Sequence, residues 1–290
     1  SRSGLQADSN VKKISNYITR KVADKLKSLF TENREDFEAK WHDIKIVLEY
    51  GMLSEPKFYE KSSDFVLYPT TENKHYTLAE LKEATKDLQT DKDGKLVVLY
   101  ASNKETQHSY IDIATSKGYQ VLLLDSPIVS HLIQKLEADN ENLTFARVDA
   151  DHIDKLINKE EVQISKLSDT EKETLKTSLE AVIPKAYSVQ LESLDSDATP
   201  FIITQPEFMR RMKEMSQSGG GGMFGMSNMP EMYNLVVNAN SELANSILEA
   251  KDEAQKELVK NALDLAKLSQ GLLKGEELTA FVKRSFDTLK

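Results

Sequence analysis

The segment between residues 77 and 158 constrains this chain most. Three short apolar runs, Leu96–Ala101, Gln120–Asp125 and Thr144–Asp149, read as strands. Helical patterns near 104–117 and 128–137 separate them, and Gly118 stands where the first helix should close. Ahead of them Thr77-Leu-Ala-Glu80 forms a capping box that opens another helix. Successive strands joined through helices pair in parallel, so this stretch is expected to be a small, doubly wound α/β/α unit.

The flanks differ. Val11, Ile14, Ile18, Val22, Leu26 and Leu29 recur every three or four residues, one apolar stripe on a long helix. Phe37, Trp41, Ile44 and Leu48 repeat the pattern on a second helix. Gly51 is expected to cap that helix and Pro56 to open a short third one. Beyond a polar linker at 159–167, Ser168-Asp-Thr-Glu171 is a second capping box, for a helix that Pro184 ends. Strands are expected at Tyr187–Leu191, Phe201–Thr204 and Tyr233–Asn238. A helix should run from Pro206 to about Gln217, and the chain should be helical from Ser241 onward. The expected fold class is therefore α/β followed by α+β. A helical coil spans 1–76, the α/β subdomain 77–160, and an α+β domain with a C-terminal helix bundle 161–290.

Charge and composition remove several functions. A net charge of -9 opposes a nucleic-acid backbone, which needs a basic face. With no cysteine there is neither a disulfide scaffold nor thiolate catalysis, which fits a reducing compartment. No apolar run nears the roughly 20 residues that span a bilayer, and no signal peptide is visible. The chain opens on Ser1-Arg2-Ser3-Gly4 without an initiator Met and reads as an excised piece. The five histidines are scattered, with no His-Glu-x-x-His, so they are expected to be isolated surface residues and no metal site is expected. Neither G-x-G-x-x-G nor G-x-x-x-x-G-K-[ST] occurs. An enzyme on this scaffold would have its site at the strand ends, near Asn103 and Asp125. Asp149 and Asp151 read as solvated turn residues.

Seven of the eight methionines fall between 209 and 232, and five of the eleven glycines between 219 and 225. Phe208, Met212 and Met215 share one helical face, with Arg210, Arg211, Lys213 and Glu214 mostly on the other side. Such a face either packs on its own domain or receives varied apolar partners, a task that suits flexible methionine. The C-terminal helices carry a dense apolar set, including Leu272, Leu278, Phe281, Val282 and Phe286. These must be buried within the domain or across a two-fold axis, and the small α+β piece favours the second.

Several segments resemble the heat-shock protein 90 chaperones. Ser1-Arg2-x-x-Leu5-Gln6, Trp41-x-x-Ile44 through Glu49-Tyr-Gly51 and Val98-Leu-Tyr-Ala-Ser102 fit the family. So do Lys117-Gly-Tyr-Gln-Val-Leu-Leu-Leu124, Phe208-Met-Arg-Arg-Met-Lys-Glu-Met215, Asn234-Leu-Val-Val-Asn238 and Leu272-Leu-Lys-Gly275 with Phe281-Val-Lys-Arg284. The likeness covers the whole chain and is closest to the bacterial form. It implies a dimeric, ATP-driven clamp, of which this chain is the end of the middle domain and the C-terminal dimerization domain. ATP and Mg would belong to the full-length parent, and the fragment alone would hold no cofactor and be inactive. By motif, Arg2 would reach the γ-phosphate in the missing domain, and Gln6 would support the same catalytic loop. Ser3-Gly4 departs from the family's usual Glu and large apolar residue, which loosens that loop. Phe208, Met212 and Met215 would touch unfolded clients, while Leu272, Leu278, Phe281 and Val282 would join two copies. The implied partners are a second copy and unfolded proteins, with no nucleic acid and no membrane, in the cytoplasm. The alternatives are the strand-end enzyme and a pure dimerization scaffold.

Overall fold

The computed structural model describes residues 9–159, 163–218 and 232–287. They group into two compact units. The first comprises Ser1–Thr90, Gly94–Ser102 and Tyr119–Phe145; the second comprises Asp91–Asp93, Asn103–Gly118 and Ala146–Lys290.

The first unit begins with helices α1 (Ser9–Glu32), α2 (Arg34–Ser54) and α3 (Pro56–Ser62). Asn33 starts α2 by accepting the Asp36 N–H at 3.1 Å, and Glu35 and Asp36 suit the positive end of the helix dipole. Phe37, Trp41, Leu48 and Met52 are buried, with Phe30 edge-on to Phe37 at 5.6 Å. Two expectations need correction. Gly51 does not cap α2, which continues to Ser54. Its role is close approach, since a Cβ there would lie 3.0 Å from the Phe58 ring of α3. The stripe expected on α1 holds only in part: Leu26 meets the core, joined there by Ala23 and Phe30, while Ile14, Ile18, Val22 and Leu29 are exposed.

A two-stranded hairpin, β1 (Tyr68–Pro69) with β2 (His75–Tyr76), precedes α4 (Leu78–Gln89). The Thr77/Glu80 capping box forms as expected. Glu80 also receives both terminal nitrogens of Arg34, at 2.5 and 2.8 Å, and this pairing holds its carboxyl down to about 2. The sheet has the order β4-β3-β5, with β3 (Leu96–Ala101) wholly buried and parallel to β4 (Val121–Leu123). β5 (Leu143–Arg147) passes its last two residues to the second unit. β4 and β5 are shorter than the apolar runs suggested. Helix α6 (Val129–Ala138) packs Leu132, Ile133 and Leu136 into this core.

The second unit contains α5 (His108–Ser116), after which Gly118 takes φ +81°, the left-handed turn expected of it. It continues with the single turn α7 (Ile153–Leu156) and with α8 (Asp169–Glu180), opened by the Ser168/Glu171 capping box. Its sheet has the order β6-β8-β7. β6 (Tyr187–Glu192) runs parallel to β8 (Tyr233–Asn238), and β7 (Phe201–Thr204) runs antiparallel to it. Helices α9 (Glu207–Ser218), α10 (Glu242–Glu249), α11 (Asp252–Ser269) and α12 (Gly275–Asp287) complete the described chain. Leu175, Leu179, Leu235, Val237, Ile247 and Val259 form the centre of the core.

A buried amide pair ties loops to the end of β8. Asn238 accepts from the N–H groups of Leu194 at 3.1 Å and Asn240 at 3.0 Å, and donates to the Asp195 carbonyl at 2.7 Å. Asn240 holds the 164–166 segment, accepting from Lys166 and donating to Ile164 and Leu194. Asn238 is fully buried, so Asn238→Ala strands three backbone groups at once. The expected loss is about 3 kcal/mol, because each buried polar group left unpaired costs roughly 1–3 kcal/mol with partial relaxation. Urea unfolding measures it, and a loss under about 1 kcal/mol would show that the loops are held by other contacts.

Candidate functional site

Helix α9 is amphipathic in the reverse of the usual sense. An ordinary surface helix buries its apolar stripe and exposes its charges. Here Arg210 is 5% exposed while Phe208 is 71% exposed. Met209 is also exposed, and Met212 and Met215 are half-buried. The inward side is ionic. Arg210 donates to Glu207 at 2.5 Å and to Glu214 at 2.7 Å, and Arg211 reaches Glu207 at 2.6 Å. From β5, Arg147 approaches Glu214 at 3.5 Å, and its backbone N–H meets Glu207 at 3.3 Å. Arg147 is fixed in turn by Asp149 at 2.5 Å and Gln205 at 3.1 Å. Burial raises the Glu207 carboxyl, but the guanidinium groups of Arg210 and Arg211 outweigh it and hold the group below its usual range. The ionic cluster fixes the helix on its charged side and leaves Phe208 toward solvent.

The second surface lies on α11 and α12. Ion pairs Asp264–Arg284 and Lys267–Glu277 clip α12 to α11. No residue of α12 is buried. Val282 and Phe286 are exposed, Leu278 and Phe281 half-buried, and on α11 Leu265 and Leu268 are exposed. Leu278, Val282 and Phe286 are spaced by four and so follow one stripe. Leu272, in contrast, packs on the chain's own core, as does the buried Leu273.

A profile of the family described as "Hsp90 protein" matches residues 1–290. The chain belongs to the Hsp90 family. It is 46% identical to the chaperone protein HtpG of Bacteroides thetaiotaomicron over 258 residues, covering 88% of this chain and 38% of that protein. It is 43% identical to the HtpG of Porphyromonas gingivalis over 281 residues, covering 96% of this chain and 40% of that protein. The HtpG of Bacteroides fragilis strain 638R is 44% identical over 252 residues, 86% of this chain and 37% of its own length. This Hsp90 chain thus spans about two fifths of the length of those relatives.

Of the site residues expected of an Hsp90 chain, Arg2 and Gln6 lie outside the described residues, as does most of the Gly/Met segment. Phe208, Met212 and Met215 fall on one described helix, and Leu278, Phe281 and Val282 on another. The strand-end positions are occupied by local structure. Asp125 is paired with Lys45, and the Asn103 side chain accepts the N–H groups of Glu105 and Thr106 at 2.9 and 3.0 Å. Two expectations fail: Asp149 is not a solvated turn residue but is paired with Arg147, its side chain 16% exposed, and His152 is not a surface histidine but 6% exposed. It follows Asp151 at the entry of α7, where its neighbours Val148 and Leu194 are buried as well. Among the described residues no group of three or more His, Asp or Glu is placed to hold a metal, and no helix is long and apolar enough to cross a membrane. Reading the sequence missed the buried role of Arg210. Its signal was Glu207 and Glu214 at i-3 and i+4, the spacings at which helix residues pair.

Proposed function

We propose that this chain is the middle-to-C-terminal part of a cytoplasmic, bacterial-type Hsp90 chaperone of the HtpG kind, which dimerizes and binds unfolded proteins. In this reading 1–76 and 77–160 end the middle domain, and 161–290 form the dimerization domain. ATP and Mg are assigned to sequence outside this chain, with Arg2 reaching the γ-phosphate from here and Gln6 supporting the same catalytic loop. The match to about two fifths of each relative supports the assignment to part of a longer protein.

The observation that carries the client reading is the reversed polarity of α9. Phe208 and Met209 stand in water although the same helix has a buried charged side. Exposing apolar groups costs solubility unless they receive something, and flexible methionines beside an aromatic suit many apolar partners. The triple variant Phe208→Ser, Met212→Ser, Met215→Ser tests it. Phe208 is already exposed and the two methionines half-exposed, so thermal stability should fall by no more than about 1 kcal/mol. Suppression of aggregation of a chemically unfolded protein should fall by about tenfold or more, the equivalent of 1.4 kcal/mol of lost contact. A collapse of the melting temperature would mean that this face is core. Unchanged client protection with unchanged stability would remove α9 from the binding surface.

A further inference from the structure

A cavity of about 310 Å³ opens in the second unit, walled by α5, α7 and the loop between β6 and β7. Sites for small organic ligands start at about this size. Its body is apolar: Tyr110, Ile113, Val148, Leu194 and Ile202 line it. Its edge is acidic. Asp151, Asp154, Asp195 and Asp197 contribute four carboxylates against one ammonium, that of Lys117, which is already paired with Asp154 at 2.8 Å. His152 also lines the cavity. It is 6% exposed, and both its ring nitrogens are buried without a hydrogen-bond partner. Burial, the largest influence on the ring, outweighs the nearby carboxylates and holds it below the ordinary imidazole range. A neutral imidazole carries one donor and one acceptor, and leaving both unmatched inside a protein is costly. Sites built this way favour ligands that supply the missing partner.

We propose that this cavity is a binding site for a small organic cation. An apolar ring or chain would lie against Ile113, Val148 and Ile202. A protonated amine would sit at the Asp195/Asp197 edge, and a polar group of the ligand would pair with His152. Calorimetric titration of the whole chain with tyramine, whose ammonium and phenol hydroxyl supply the two polar groups, tests the size and charge of the site. Saturable binding of one molecule per chain is expected, with a shift of the His152 ring signals in NMR spectra. Removing the charge should weaken binding about tenfold, the worth of one good ion pair. Tyrosol, which replaces the ammonium with a hydroxyl, should therefore bind about tenfold less tightly, 3-(4-hydroxyphenyl)propionate should not saturate, and Asp195→Asn with Asp197→Asn should abolish the preference for the amine.

His152→Leu gives a second reading that a merely structural histidine would not. An apolar side chain of similar size removes the unmatched nitrogens, so the melting temperature should hold or rise while tyramine binds about tenfold less tightly. Absence of saturable binding up to tens of millimolar probe overturns the proposal. Equal affinity for tyramine and tyrosol overturns the cation class. A His152→Leu variant that loses stability makes the histidine a core residue and removes its part in the site. Neither client protection nor oligomeric state enters these readouts, so they stand apart from the chaperone reading.

Discussion

Arg210→Ala is expected to destabilise the second unit by about 3 kcal/mol, because removing one partner of a buried ion pair leaves the other charge uncompensated. The Arg210 side chain is 4% exposed and serves two carboxylates, Glu207 and Glu214. Glu207 keeps Arg211 and the Arg147 N–H, which places the loss at the lower end of the range for such breaks. The variant should also change the pH dependence. In the wild type the Glu207 carboxyl is held below its unfolded value, so its contribution is present above about pH 4–5 and is lost as pH falls through the folded value. Without Arg210, burial dominates and pushes the carboxyl up. The folded state then takes up a proton more readily than the unfolded chain, so the penalty is greatest near pH 7 and shrinks on acidification. Thermal unfolding at pH 7 and pH 5 should show the gap between wild type and variant narrowing at the lower pH. A gap that is constant with pH would mean that packing of the arginine stem, not its charge, holds α9. The companion Arg210→Ala with Glu207→Gln removes the stranded charge and should recover part of the loss.

The elements legible in the sequence are those written in local pattern. Both capping boxes, Thr77/Glu80 and Ser168/Glu171, form, and Leu96–Ala101, Phe201–Thr204 and Tyr233–Asn238 are strands with the expected bounds. A cap or an apolar run is completed within a few residues, so periodicity and residue type suffice to find it. What stayed hidden depends on partners far along the chain. Glu80 was visible as a capping residue, but not as the partner of Arg34, 46 residues away. The spacing of Ile14, Ile18, Val22 and Leu26 marks an apolar stripe on α1 without saying which turns meet other helices, and of these Leu26 reaches the core, beside Ala23, while the other three stay exposed. Gly51 has the residue type of a cap and the duty of a contact, since both rest on a missing Cβ. For α9 the spacing of Phe208, Met212 and Met215 established a shared face. Which side of the helix is buried depends on Arg147, in another element, and no pattern within the helix encodes it.

If the chain dimerizes as proposed, Val282→Asp with Phe286→Asp should leave monomers of 32.7 kDa in light scattering at micromolar concentration, where the unaltered chain shows twice that mass. In the single chain these side chains are 42% and 64% exposed, so the substitutions remove little from the chain's own core. Across a two-fold axis each is counted twice, and the seam would have to bury four carboxylates. At a few kcal/mol for each unpaired charge taken from water, the dissociation constant should rise by about a thousandfold or more. The melting temperature of the dissociated chain should depend little on the variant. Leu272→Asp provides the contrast, because Leu272 packs on its own subunit's core and the carboxylate should lower thermal stability whatever the oligomeric state. The clip between α11 and α12 adds a further expectation. Arg284→Ala frees α12 from Asp264 and should weaken the dimer without placing a charge in the seam. A wild-type chain that is monomeric at micromolar concentration would refute the two-fold reading. A double aspartate variant that stays dimeric would move the interface away from the Leu278–Val282–Phe286 stripe. If the stripe is the seam, its exposure in one chain is the reason that a second copy is bound.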